Sequence, residues 1–300
     1  MLVISQEVGD ALRDGLPVVA LESTVLAHGL PYPRNLEVGR ALESDIRDGG
    51  AIPATVAVLA GELRVGLSEA ELERVATGEG VLKASTRDLP VAVARKRDAA
   101  TTVAATMWLS ARAGIAVFAT GGIGGVHRGE PLDVSADLTE LGRTRQIVVS
   151  AGAKAILDLP ATREALETRG VLVAGWRTDE MPAFYSRESG LQVDVRVEEP
   201  RDVAELWRAQ AKIDGPGALL LCVPAPAEAA VDAATVESHV AAALAAARAA
   251  GISGKGLTPF LLSEMGRLSG GDTLEANVAL LRNNARVAAA VAVAVARETA

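Results

Sequence analysis

Apolar positions along the chain fall into two alternating rhythms, short β-branched runs and longer stretches with helical spacing. Val18–Leu21 reads as a strand followed by a loop rich in glycine and proline. Arg34–Asp48 reads as a helix that stops at Gly49-Gly50. Thr55–Leu59 and Leu63–Val65 are apolar enough to pair across a Gly61-Glu62 turn. Ser68 caps a helix reaching Thr77, with Glu69 and Glu71 in the first turn, where the helix dipole favours acids. A second unit runs as helix Thr101–Ala113, strand Ile115–Thr120 and a glycine-rich loop. Gln146–Ser150 is then a strand, Ala151–Lys154 turns into a helix, and Val171–Ala174 and Leu219–Val223 are strands again. Val240–Ala250 and Ala285–Ala296 are alanine-rich with helical spacing, suited to packing on the sheet or across a subunit interface. Strands alternating with helices predict a layered α/β domain with a mostly parallel sheet and right-handed crossovers. With no fixed-period repeat and no Pro/Gly/Ser linker, the expectation is a single domain over residues 1–300.

Composition narrows the function more than the fold. At 49% hydrophobic, 300 residues can bury one large core. A net charge of -8 and a pI near 5.1 argue against a nucleic-acid or membrane-surface binder, which needs a basic face. Small polar substrates are the expected partners, and an anionic one requires a local cluster of donors. Cys222 is the only cysteine, which excludes an intrachain disulfide and a Cys-rich zinc site. The start MLVISQEVGDALRDG is amphipathic with early acids, unlike a signal peptide. Apolar runs reach about ten residues before a charge, too short to span a bilayer. The expected location is therefore the cytoplasm.

Functional groups in open α/β sheets gather at the carboxyl ends of strands, and four segments fit that position. Glu22 stands where a strand gives way to the loop holding His28 and Pro31-Tyr32-Pro33; it is either a general acid or a cap. Lys83, followed by Ser85, Arg87 and Asp88, suits an anion such as phosphate or is an ordinary surface lysine. The run Thr120-Gly121-Gly122-Ile123-Gly124-Gly125 lets backbone N–H groups approach a phosphate, and His127 and Arg128 add donors. Its spacing matches neither a dinucleotide fingerprint nor a P-loop. Asp133 and Asp137 share a face if helical and could hold a divalent cation, or cap a helix. Only three histidines occur, which disfavours a His-rich transition-metal site. Lys154 closes the fourth segment between Ala153, Ala155 and Ile156; desolvation there would favour the neutral, nucleophilic amine, while the alternative is a lysine snorkelling from a helix start.

Taken together these segments resemble the pseudouridine-5'-phosphate glycosidase family, also called the indigoidine-synthase-A-like family. The resemblance rests on LESTVLAHGLPYP at 21–33, KASTRDLP at 83–90, ATTVAATM at 100–107 and VFATGGIGGVHRG at 117–129. It continues through DVSADLTEL at 133–141, AGAKAILDLP at 151–160, TPFLL at 258–262 and GGDTLEANVALLRNNA at 270–285. The stretches are collinear and cover almost the whole chain, the segment from about 176 to 240 matching less well. Gly270-Gly271-Asp272 loosely resembles an anion-binding segment of sugar kinases but reads here as a turn into a helix capped by Asp272 or Thr273.

The resemblance implies a three-layer α/β/α fold with a mixed, mostly parallel sheet, a homotrimer, and one manganese ion per subunit, with magnesium as the alternative. It implies cleavage of the C–C bond of pseudouridine 5'-phosphate to uracil and ribose 5-phosphate. Glu22 matches the proton donor, Lys154 the covalent nucleophile and Asp133 the metal ligand. Lys83, Val103, Ser135, Ala136 and Asp137 match substrate-contacting positions, with Thr120 and His127 at the phosphate and Asn277 facing the base. A carbon-bound uracil is a poorer leaving group than those expelled by paired carboxylates, which is what a lysine Schiff base would overcome. Two other readings share some of these residues: a class I aldolase, which would want eight strand–helix repeats where fewer are visible, and a non-catalytic phosphosugar-binding module.

Overall fold

The computed structural model describes residues 2–252 and 254–299, and its strands and helices alternate as the periodicity predicts. The strands are β1 (Leu2–Ile4), β2 (Val18–Leu21), β3 (Ile52–Leu59), β4 (Glu62–Val65), β5 (Leu82–Ala84), β6 (Ala99–Thr101) and β7 (Val117–Ala119). They continue with β8 (Val126–His127), β9 (Glu130–Val134), β10 (Ile147–Ser150), β11 (Leu157–Asp158), β12 (Leu172–Trp176), β13 (Val195–Val197) and β14 (Leu219–Cys222). The helices are α1 (Gln6–Arg13), α2 (Arg34–Asp48), α3 (Glu69–Thr77), α4 (Leu89–Ala94), α5 (Val103–Arg112) and α6 (Ala136–Leu141). After them come α7 (Leu159–Thr168), α8 (Pro200–Lys212), α9 (Ala233–Ala249), α10 (Leu257–Leu268) and α11 (Asp272–Thr299).

An eleven-stranded sheet runs β1-β4-β3-β2-β7-β10-β14-β12-β13, with β6 also pairing β3 and β5 pairing β6. Its middle is parallel throughout, and β3 pairs antiparallel with both β4 and β6. Strands buried on both faces lose the polar alternation of a half-exposed sheet, which is why β2 and β14 are unbroken apolar runs and β10 is apolar up to its last residue, Ser150. Helices α2, α8 and α11 cover one face, and α5, α6 and α7 the other. The result is a three-layer α/β/α arrangement around a mixed, mostly parallel sheet. A small second sheet, β11-β8-β9, stands beside the carboxyl ends of the central strands.

Local chemistry accounts for the boundaries. Helix α2 ends at Gly49, and Gly50 takes the left-handed conformation (φ 83°) that a side chain would resist. Ser68 and Glu71 close a capping box at α3. The β3–β4 hairpin turns on Ala60-Gly61, both at positive φ, one residue earlier than the pattern suggests. Thr101 belongs to β6 rather than to a helix, because its hydroxyl donates to Val56 O on the neighbouring strand; α5 starts only at Val103. Ala151–Lys154 does not enter a helix either. Gly152 takes φ 80°, Ala153 bridges to Ile123, and the helix waits until Asp158 caps α7 through Ala161 N. At α11 the cap position is Gly271 rather than Asp272 or Thr273, since Gly271 O accepts from Glu275 N, and the Ser269 hydroxyl adds a bond by accepting from Thr273 N.

Helix α11 is long and apolar enough by composition to cross a membrane over Asp272–Arg297, contrary to the reading of short apolar runs, yet 61% of that window is buried inside the protein. It lies along β2, β7 and β10 and against α2 and α8. Its apolar length is that of a core helix.

Candidate active site

The chain leaves β2 for one side of the sheet and returns at β7 to build the other, so the strand order reverses between these neighbours. Ligands of open α/β sheets bind at such a switch point, beyond the carboxyl ends of the strands. Glu22 follows β2, Thr120 follows β7, and Lys154 follows β10, three adjacent parallel strands. A cleft of about 430 Å³ opens there, lined among others by Glu22, Lys83, His127, Asp133 and Lys154.

Glu22 is fixed from both sides. Behind it, the buried Ser23 hydroxyl donates to Val56 O at 2.6 Å and accepts from Thr101 N at 2.9 Å, and Thr24 Oγ1 donates to Thr101 O at 2.7 Å. These bonds fasten the turn after β2 to the end of β6. Thr120 Oγ1 donates to the Glu22 carboxyl. Thr120 is in turn held by α11, since Asn284 Nδ2 donates to Thr120 O at 2.8 Å. Burial pushes the Glu22 carboxyl above its ordinary range; the charges of Lys154 and Lys83 and the Thr120 hydrogen bond pull it down without cancelling the rise, and Asp137 adds to it. Glu22 is thereby biased toward keeping its proton.

Lys154 sits in a tight turn whose floor is buried: Ala153, Ala155 and Ile156 are each 3% exposed or less. Lys154 N donates to Ile123 O at 3.1 Å, and Leu157 N donates back to Lys154 O at 3.0 Å. The backbone of the residue is therefore rigidly placed while its side chain reaches the cleft.

Close packing accounts for the glycines between Thr120 and Val126. A Cβ at Gly122 would fall 2.6 Å from the Phe184 ring, and one at Gly125 would fall 2.3 Å from Thr162 Oγ1. The glycines let the loop pack against its own fold; within the run only Gly124 lines the cleft. Asp137 is 5% exposed and accepts from Ala104 N at 2.9 Å and Gly124 N at 2.8 Å. It ties the start of α5 to the loop, as a capping carboxylate does. Asp133 lies in β9 and Asp137 in α6, so the two do not share a helix face.

All the residues singled out by the resemblance line the cleft except two. Thr120 is 2% exposed and directs its hydroxyl at Glu22, and Asn277 lies in the second turn of α11 away from the lining. The cleft also takes in His28, named in the sequence only as part of the loop after Glu22, and Thr102 and Arg169, to which no role was given, with Thr258, Pro259 and Leu262 of α10 at its rim. Thr102 and the TPFLL segment stood inside matched stretches, whereas Arg169 carried no local signal. Lys83, Arg87, Lys154 and Arg169 converge here, a basic cluster in a chain of net charge -8. His28 Nε2, Ser85 Oγ and Thr102 Oγ1 are buried polar atoms with no hydrogen-bond partner among the described residues, as expected of groups that await a polar ligand. Burial, aided by the Lys83 charge, pushes the His28 imidazole below its ordinary range against a hydrogen bond to the Leu82 backbone, favouring the neutral ring.

The donor set for a metal is sparse. Asp133 opens on the cleft with its side chain 44% exposed, and His127 Nδ1 stands 3.8 Å from its Oδ2, too far for a hydrogen bond. No group of three metal-ligating side chains occurs among the described residues. That arrangement fits a hard divalent cation that keeps most of its waters and leans on one carboxylate.

The family described as "Indigoidine synthase A like protein" matches residues 7–294. The pseudouridine-5'-phosphate glycosidase of Herpetosiphon aurantiacus is 55% identical over 295 residues, covering 98% of this chain and 97% of the relative. That of Deinococcus radiodurans is 52% identical over 298 residues, covering 99% and 95%. Among solved structures, the prealnumycin C-glycosynthase AlnA in complex with ribulose 5-phosphate superposes with a TM-score of 0.92 at 41% identity, covering 100% of this chain and 98% of its own. An indigoidine synthase A-like protein from Thermotoga maritima gives a TM-score of 0.91 at 38% identity, covering 99% and 97%.

Proposed function

The chain belongs to the indigoidine synthase A-like family, and from that membership we propose that it cleaves the C–C glycosidic bond of pseudouridine 5'-phosphate, reversibly, through a Schiff base on Lys154. The observation that carries this reading is the convergence of Glu22 and Lys154, from strands flanking β7, on one cleft in which burial biases Glu22 toward its protonated form. The relatives named pseudouridine-5'-phosphate glycosidase and the ribulose 5-phosphate complex of the C-glycosynthase support a sugar phosphate as the ligand.

The reaction runs as follows. Glu22 delivers its proton to the ribose ring oxygen, the C1'–O4' bond breaks, and the Lys154 amine adds at C1'. The nitrogen sheds a proton on adding, and uracil C5 takes one up; the nitrogen lone pair then forms C=N while the electrons of the C1'–C5 bond return to the uracil ring. Water hydrolyses the iminium, releasing ribose 5-phosphate and the free amine. The phosphate lies far from the bond broken, so its grip by the basic cluster serves to set C1' against the amine. A manganese or magnesium ion held by Asp133 would supply positive charge and oriented water beside the sugar.

Incubation with pseudouridine 5'-phosphate should release uracil, and uracil with ribose 5-phosphate should reform the nucleotide. Borohydride added with ribose 5-phosphate should leave a reduced adduct on Lys154 in a peptide mass spectrum. An adduct on another lysine would reassign the nucleophile, and no uracil release would defeat the proposal. The chain is further proposed to assemble as a homotrimer, for which light scattering should return three times 30.8 kDa.

A further inference from the structure

Arg128 follows β8, and its sequence context offers it as one more phosphate donor next to His127. The structure sends its guanidinium elsewhere. Nε donates to Leu157 O at 2.9 Å and Nη2 to Ala155 O at 3.1 Å, both in the turn that begins at Lys154. Nη1 donates at 2.5 Å to Glu237 on α9. Arg128 does not line the cleft, whereas Lys154 and Leu157 do. Its side chain is 26% exposed and the Glu237 side chain 61%, so the carbonyl end of the fork is the sheltered one.

A lysine amine stands on four flexible methylenes, so its reach is set by where the backbone beneath it is anchored. The 154–157 turn is neither helix nor strand until Leu157 pairs with His127. Carbonyls in such a turn need donors from outside it. A planar guanidinium bonding two carbonyls of one turn fixes both its position and its tilt, which a single ammonium on a flexible stem cannot do. Displacement of a reacting group by about 1 Å can lower a rate about 100-fold.

We infer that Arg128 is a positioning residue for Lys154. It holds the turn so that the amine meets the sugar carbon, and it takes no part in gripping the phosphate. This inference rests on the proposed role of Lys154 as the Schiff-base lysine.

The test compares the full-length wild type with Arg128→Lys, Arg128→Ala and Glu237→Gln. Three quantities are read: the rate of borohydride trapping on Lys154 with ribose 5-phosphate, kcat and KM for pseudouridine 5'-phosphate, and inhibition by inorganic phosphate. Arg128→Lys keeps the charge but loses the fork, and should slow trapping and kcat about 10- to 100-fold. KM and the inhibition constant of inorganic phosphate should stay within about 2-fold. Glu237→Gln leaves both carbonyl bonds in place and should trap at a rate within about 2-fold of wild type. Arg128→Ala should behave as Arg128→Lys or worse; if it does not fold, Arg128→Lys alone decides. Weakened phosphate inhibition with kcat intact would make Arg128 an anion ligand and overturn the inference. So would unchanged trapping in Arg128→Lys, or a loss in Glu237→Gln as large as in Arg128→Lys. Wild-type protein that forms no adduct on Lys154 would remove the function reading and this inference together, whereas the other failures leave the function reading intact.

Discussion

Burial and four neighbouring groups act on the carboxyl of Glu22, and their balance would set the pH range of the proposed reaction. Burial raises its pKa, while the charge of Lys154 and the hydroxyl of Thr120 lower it. A general acid must carry its proton, so activity should fall as pH rises through that raised value. Thr120→Val removes a hydrogen bond that favours the charged form, so the pKa climbs further and the alkaline limb of kcat/KM should move to higher pH. A limb that stays in place would mean Thr120 does not act through Glu22. Glu22→Gln keeps the shape but has no proton to give, and kcat should drop by about 10²- to 10⁴-fold, measured as uracil release. Lys154→Ala should abolish both turnover and the borohydride adduct while inorganic phosphate still binds, because the basic cluster at Lys83, Arg87 and Arg169 remains.

At the scale of elements, the turn between β10 and β11 is where backbone geometry meets chemistry. Gly152 adopts φ 80°, and a Cβ there would lie 2.2 Å from Pro182 O, a backbone atom that cannot swing aside. Gly152→Ala should therefore cost about 1–3 kcal/mol in a urea melt and also slow trapping on Lys154, two residues away. A variant destabilised but catalytically normal would mean the turn tolerates movement. The long periodic elements are legible in the sequence: α2 has the bounds its spacing implies, and β2, β10 and β14 show as largely apolar runs. The short strands are not. β6 is an Ala-Ala-Thr triplet whose Thr101 reads as a helix start, and β8 and β11 are two residues each, too short for any period to register. The site divides in the same way. Glu22 and Lys154 stand out because strand ends are where chemistry gathers, whereas the bonds of Thr120, Arg128 and Asn284 join positions 27 to 164 residues apart and leave no local trace.

Over the whole molecule, α11 is the part that connects the far end of the chain to the site. It packs on β2, β7 and β10, and its Asn284 holds the Thr120 turn behind Glu22. α11 is also fastened to the first half of the chain by Asp45 on α2, with a side chain only 6% exposed, which accepts from Arg282 Nε at 2.7 Å and from Arg286 Nε at 3.0 Å. Burial works to raise the Asp45 pKa, but the two guanidinium groups outweigh it and hold the carboxyl below its ordinary range. The Arg282 side chain is 41% exposed and that of Arg286 56%, so solvent screens part of the attraction. Asp45→Asn should thus cost about 1–3 kcal/mol at neutral pH, between the values for exposed and fully buried pairs. The sign of the pH dependence follows from the lowered pKa. The contribution is complete above the unfolded-state value of about 3.9 and is lost as pH falls through the lower folded-state value. Urea midpoints of wild type and Asp45→Asn should accordingly differ at neutral pH and converge in acid. A gap that persists unchanged in acid would show that the charge of Asp45 is not what joins α2 to α11.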